Sequence, residues 1–181
     1  MKVLLDTNII IHREASHVKN QDIGVLFKWL DRMHYEKLIH YRSVDEILKN
    51  KNQETVSAFK IKIQNYEILD IPSPMAAKVI EVSKKMDSTE NDSIDTTLLN
   101  EVFCNRIDLL ITEDKKIHAK AAALDISDKI FNIDQFLEKL LSENPELVDY
   151  KVLNVQKIPF GKIDLSDPFF QSLKDDYKDF D

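Results

Sequence analysis

Met1-Lys2-Val3-Leu4-Leu5-Asp6-Thr7-Asn8 opens the chain with a short apolar run that stops at a carboxylate, a hydroxyl and an amide. Val3, Leu4 and Leu5 show no polar alternation, the pattern of a strand covered on both faces at the centre of a parallel sheet. Asp6 then falls at the strand's carboxyl end. In open α/β sheets ligands bind just beyond the carboxyl ends of the strands, so a carboxylate there is a candidate for metal or phosphate chemistry.

Outward from this strand, short apolar runs alternate with helical periodicity. Asp22 to Met33 places Ile23, Leu26, Phe27, Leu30 and Met33 on one helical face. Lys37 to His40 reads as a second strand, Ser43 to Lys49 and Gln53 to Asn65 as helices, and Glu67 to Ile71 as an extended stretch stopped by Pro72 and Pro74. Met75 to Met86 is helical, Asp87 to Asn91 is polar punctuation, and Asp92 to Asn105 is a helix with Ile94, Leu98, Leu99 and Val102 on one side. Asp108 to Ile111 is a third buried strand and Asp114 to Leu124 a helix. Lys129 to Ile133 is a fourth strand, and Asp134 is positioned to cap a helix over Gln135 to Ser142. Strands alternating with helices imply right-handed parallel βαβ units, hence a three-layer α/β/α domain with a central parallel sheet of four or five strands. The pattern places this domain at residues 1–143. Residues 144–181 form a C-terminal extension with a further strand expected at Lys151 to Ile158.

Composition narrows the chemistry. The chain has 181 residues, 43% of them hydrophobic, which suits one good core and a short appendage. Its one cysteine, Cys104, excludes a disulfide framework and a multi-cysteine zinc site, and points to the cytoplasm. No apolar run approaches the ~18 residues of a membrane span, so no membrane partner is expected. Only two glycines, Gly24 and Gly161, are present, and neither a dinucleotide fingerprint nor a phosphate loop can be built from them. The net charge is −7, but the stretch from Asp164 carries six acids against Lys174 and Lys178, so the body is only mildly acidic.

Covalent catalysis and zinc chemistry lack residues: there is no HExxH, no G-x-S-x-G, and no basic partner beside Cys104. What remains is carboxylates at strand ends and on the helices that follow. Asp6 follows the first strand, Glu46 the second, Asp95 lies on the helix before the third and Asp114 after it. Each also has a structural reading. Asp6 or Asp114 can cap the next helix, Asp95 can be a surface acid, and Ser43-Val44-Asp45-Glu46 is a possible capping box. Capping alone does not explain why two buried strands both end in a carboxylate beside a threonine, Asp6-Thr7-Asn8 and Thr112-Glu113-Asp114. Four acids converging on one cleft stay ionised only with a cation, and an all-oxygen set selects Mg²⁺ or Mn²⁺.

LLDTN at the start, SVDEIL, NDSIDTTLLNEV, and DLLITED followed by a basic helix together resemble the PIN domain, a metal-dependent ribonuclease fold, over roughly residues 1–143. The resemblance implies catalysis and metal binding by Asp6, Glu46, Asp95 and Asp114, supported by Thr7, Asn8 and Thr112. It implies one or two Mg²⁺ or Mn²⁺ ions, hydrolysis of RNA phosphodiester bonds, and often the role of the toxin in a toxin–antitoxin pair. The implied partners are an RNA substrate, an antitoxin, and a second copy in a homodimer. The tail, FGKIDLSDPFFQSLKDDYKDFD, resembles the lead-in of proteins in which a PIN domain is fused to a GNAT-type acetyltransferase. Two rival readings stand beside this one. Asp6-Thr7-Asn8 is one residue from the nucleophile motif of haloacid-dehalogenase-like phosphatases, with Asn8 where a second Asp is needed. The other rival is a catalytically silent PIN scaffold that binds RNA or protein.

Asp92 and Asp95 lie on one helix face. Asp92 stands in the first turn, where free amides and the helix dipole account for a carboxylate. Asp95 lies a turn further in, in line with Leu98, Leu99 and Val102, and is therefore expected to be the ligand, with Asp92 supporting it. Lys115, Lys116 and Lys120 are expected to contact RNA phosphates beside the metal.

Overall fold

A computed structural model describes residues 1–14, 21–49 and 52–144; the strand expected at Lys151 to Ile158 and the rest of the extension lie outside the described residues. Five parallel strands, β1 (Lys2–Leu5), β2 (Glu36–His40), β3 (Glu67–Leu69), β4 (Leu109–Ile111) and β5 (Ile130–Phe131), form one sheet in the order β3-β2-β1-β4-β5. Val3, Leu4 and Leu5 are fully buried, as the unbroken apolar run requires. Register sets Leu4 opposite Leu38 on β2 and Leu110 on β4, and Leu5 opposite Ile111.

Eight helices accompany the sheet among the described residues: α1 (Thr7–Glu14), α2 (Gln21–Arg32), α3 (Tyr41–Leu48), α4 (Gln53–Lys62), α5 (Ala77–Met86), α6 (Glu90–Phe103), α7 (Lys115–Ala123) and α8 (Ile133–Glu143). Leu4, Leu38 and Leu110 share a core with Val79 and Val82 of α5, Leu98, Leu99 and Val102 of α6, and Ile117 and Ala121 of α7. The alternate strand positions Val3, Leu5, Ile39 and Ile111 are buried as well, so both faces of the sheet are covered. The result is the three-layer α/β/α arrangement, with five strands.

One helix was missed and two helix starts are corrected. Helix α1 was not anticipated, because its three consecutive isoleucines are weak helix formers. Complete burial of Ile9 and Ile10 overrides that preference. The helix expected to open at Ser43 begins at Tyr41 instead, capped by His40, whose imidazole Nδ1 accepts the Arg42 N–H at 3.3 Å. Ser43 is thus buried inside the helix, and Glu46 sits mid-helix, where a capping box no longer explains it. The cap of α8 is Asn132 rather than Asp134: its side chain accepts from Gln135 N–H at 2.8 Å while the Gln135 side chain accepts from Asn132 N–H at 3.1 Å.

Two tertiary clips fix α6, the helix that carries the central acids. The buried Asn100 amide accepts the Ala76 N–H at 3.0 Å, and the buried Glu101 carboxylate accepts from the Ser73 backbone (2.7 Å) and hydroxyl (2.8 Å). At the other end, Lys120 of α7 is only 1% exposed and reaches under the first turns of α6. Its Nζ lies 2.7 Å from Asp87 Oδ1, 2.6 Å from the Asp92 carbonyl and 3.1 Å from Thr96 Oγ1. A buried cation satisfied three times locks two helices together, and removing it strands Asp87 without its counter-charge. Lys120→Ala is expected to cost roughly 3–5 kcal/mol in urea unfolding. A loss under about 0.5 kcal/mol, the range of ordinary surface substitutions, would show that Lys120 does not hold α7 to α6 and to Asp87 at the end of α5.

Candidate active site

The strand order reverses between β1 and β4, since β1 leads outward to β2 and β3 while the chain returns to β4 and β5 on the other side. Such a switch point opens a crevice at the strands' carboxyl ends. Asp6 follows β1 there and Thr112 follows β4, and the Asp6 N–H donates to Ile111 O at 3.1 Å. The fully buried Thr112 hydroxyl donates to Asp6 Oδ2 at 2.8 Å and accepts the Asp114 N–H at 3.0 Å. One hydroxyl therefore orients carboxylate-bearing residues from both strands. His118 Nε2 stands 3.1 Å from the Thr112 carbonyl and helps hold it.

Asp114 is the N-cap of α7, its Oδ1 accepting the Lys116 N–H at 2.6 Å. Asp6, 4% exposed, has its pKa raised to about 6, chiefly by burial. Hydrogen bonds from Thr112 and the Thr7 backbone oppose that rise, and the charges of Glu46 and Asp114 add to it. Asp95, half-buried on α6, is pushed up to about 7 by burial first and then by Asp6. Lys120 opposes this rise, while Asp114 and Glu46 add to it. The fields of Glu46 and Asp114 thus reach both Asp6 and Asp95, and that of Asp6 reaches Asp95. Among the described residues no three His, Cys, Asp or Glu side chains are drawn close enough to enclose an ion. The case for a cation rests on charge and donor chemistry: four hard oxygen donors, two of them held above their ordinary ionisation range.

Asp92 behaves differently. It is the third residue of α6 in a capping box with Thr89, and its Oδ2 accepts from the Ser88 N–H (3.0 Å), the Ser88 hydroxyl (2.8 Å) and the Thr89 N–H (2.9 Å). Its Oδ1 pairs with Lys116 Nζ at 2.8 Å, and this ammonium, followed by the Ser88 and Thr89 bonds, holds the carboxyl far below its usual range. Thr7 is buried and Asn8 exposed. Lys115 and Lys116 are exposed at the start of α7. Lys120 is not, and the expectation that it contacts RNA is corrected, because its ammonium is enclosed between Asp87, Thr96 and the α6 backbone.

Beside Glu46, a cleft of about 510 Å³ opens between α3 and the first turns of α6, with Tyr41, Arg42 and Ile94 on its walls. Neither the cleft nor the Lys120 brace was anticipated from sequence. The Thr89-x-x-Asp92 capping spacing was legible; the Lys120 pairing was not, because it is made between elements distant in the chain.

No protein-family model matches the sequence, and no curated protein matches it. Among solved structures the chain is similar to one in the crystal structure of VapBC2 from Rickettsia felis bound to a DNA fragment from their promoter, with a TM-score of 0.50. The fold is PIN-like. The match covers 73% of this chain and 98% of the other at 16% identity, a likeness of fold alone.

Because Asp6 and Asp95 are held above their ordinary pKa of 3.8, the native chain without metal binds protons that the unfolded chain releases. Their contribution to stability is complete below about pH 4 and is lost as pH rises through about 6 and 7. In EDTA, urea unfolding is expected to show lower stability at pH 8 than at pH 5. Asp95→Asn should recover roughly 1–2 kcal/mol at pH 8, after allowance for partial solvent screening. Equal pH dependence in the variant and the parent would refute the assignment of the strain to Asp95.

Proposed function

We propose that the protein is a metal-dependent ribonuclease that hydrolyses RNA phosphodiester bonds. The observation that carries this reading is the joining of Asp6 and Asp114 by the Thr112 hydroxyl at the switch point, where burial and the charges of neighbouring acids push Asp6 to about 6 and Asp95 to about 7. Two carboxylates raised by burial, and further by the acids around them, are a site prepared for positive charge. These four residues would hold Mg²⁺ or Mn²⁺, which when bound supplies an activated water and neutralises charge on the leaving oxygen.

The chain's own groups have separate tasks. Thr112 holds the Asp6 carboxylate and the Asp114 backbone in one arrangement. Asp92 braces the first turn of α6 and draws Lys116 to that edge, and Lys115 and Lys116 offer positive charge to the RNA backbone. A toxin-type endoribonuclease held by an antitoxin in the cytoplasm is the corresponding biological role, supported by the PIN-like fold and by a structural neighbour that is itself a complex.

Cleavage of single-stranded and structured RNA in Mn²⁺, with and without EDTA, tests this beside a para-nitrophenyl phosphate assay. RNA cleavage that EDTA abolishes, and that falls more than roughly 100-fold in Asp6→Asn, is the expected result; losing a merely supporting group costs ~10–100-fold. Hydrolysis of the phosphomonoester without RNA cleavage would make the protein a phosphatase. Neither activity would leave a silent scaffold.

A further inference from the structure

Every polar atom of Thr112 has a partner, and one of those partners lies outside the set of acids. The Thr112 N–H donates to Phe131 O at 2.9 Å, while its hydroxyl donates to Asp6 and accepts from the Asp114 N–H. Its carbonyl oxygen has His118 Nε2 at 3.1 Å. A carbonyl oxygen only accepts, so Nε2 carries a proton in this contact. The neutral Nε2–H tautomer and the imidazolium both donate, and either form of the ring makes the bond.

The peptide that begins at this carbonyl leads straight to Asp114. Glu113 is tied separately, its Oε1 accepting the Ile133 N–H at 2.9 Å, and Asp114 caps α7. His118 stands one turn along that helix, its backbone N–H donating to Asp114 O at 3.3 Å. A single helical turn therefore carries both an acid and the group that folds back onto the peptide before it. Rotation of that peptide would swing the Asp114 N–H away from Thr112 Oγ1 and disturb the bond the same oxygen makes to Asp6. The His118 ring is half-buried and borders a cleft of about 570 Å³ beside Ile130 and Phe131, so packing alone does not fix its angle. The hydrogen bond to Thr112 does. We propose that His118 is a positioning residue of the hydrolytic site: by anchoring the Thr112 carbonyl it keeps Asp6 and Asp114 in the joint arrangement that a divalent cation requires. The inference rests on the ribonuclease reading for its reaction. A histidine that merely filled space would matter through its ring volume and not through its N–H.

Metal binding is measured separately from cleavage, by calorimetric titration of Mn²⁺ into the full chain. The wild type is compared with His118→Phe, which keeps a ring and removes the donor, and with His118→Gln, whose amide nitrogen can take the place of Nε2. His118→Phe is expected to bind Mn²⁺ at least roughly 10-fold more weakly, the lower end of what a group orienting metal ligands contributes. His118→Gln should stay closer to the wild type. Added to Thr112→Val, which already lacks the hydroxyl joining Asp6 to Asp114, His118→Phe should cost little more, because both act through one residue. In RNA cleavage at saturating Mn²⁺ the loss should fall on kcat with KM unchanged, since His118 acts through Thr112 and not on the substrate. Unchanged Mn²⁺ affinity in His118→Phe overturns the proposal, as does an equal loss in His118→Gln or a fully additive loss in the double variant. So does a wild-type chain that binds no Mn²⁺. Mn²⁺ binding that depends on the His118 donor in a chain that cleaves no RNA would sink the ribonuclease reading alone, whereas Mn²⁺-dependent cleavage with binding indifferent to His118→Phe would sink this one alone.

Discussion

The hydrogen bond from Thr112 Oγ1 to Asp6 Oδ2, 2.8 Å long and fully shielded from solvent on the threonine side, joins the two strands at which the sheet reverses direction. The same oxygen receives the Asp114 N–H. Burial makes a carboxylate expensive unless its oxygens are satisfied, so this contact determines whether Asp6 can stand at the floor of the crevice at all. Removing the hydroxyl would leave the Thr7 backbone bond alone to oppose burial and the like charges of Glu46 and Asp114. Everything else at the site is arranged around that constraint.

The surrounding charges divide into two groups with opposite consequences. Lys116 pairs with Asp92 and Lys120 with Asp87, which makes them braces that tie α7 to α6 and to the C-terminal end of α5. Asp6 and Asp95 are left in partial excess of negative charge. A fold that neutralises its structural acids so thoroughly, yet leaves two acids strained at a switch point, concentrates its unbalanced charge where a cation would relieve it. The braces also set the first turns of α6, and with them the side of the neighbouring cleft that bears Glu90 and Ile94.

Much of this architecture was legible in the chain because strand burial is written in short-range composition. Val3-Leu4-Leu5 and Leu109-Leu110-Ile111 have no polar positions to place in water, and each is followed at once by an acid or a threonine. Helix α1 was hidden because its isoleucines argue locally for extended structure, and only burial of Ile9 and Ile10 settles the matter. The start of α3 was misplaced because Ser43 is a better cap by type than His40, whose imidazole nonetheless reaches the Arg42 amide. Lys120 looked like one more lysine on a basic helix. Its partner Asp87 lies on another element, and no local pattern reports such a pairing. The acids were readable one by one, while their mutual influence required the topology that gathers them.

The central claim is that this strained carboxylate set exists to hold a divalent cation, with Asp95 as ligand and Asp92 as brace. Isothermal titration of Mn²⁺ into the wild-type chain, Asp95→Asn and Asp92→Asn tests it most directly. The account predicts saturable binding by the wild type, its loss in Asp95→Asn, and binding that persists in Asp92→Asn. Intact Mn²⁺ binding by Asp95→Asn together with lost binding by Asp92→Asn would contradict it.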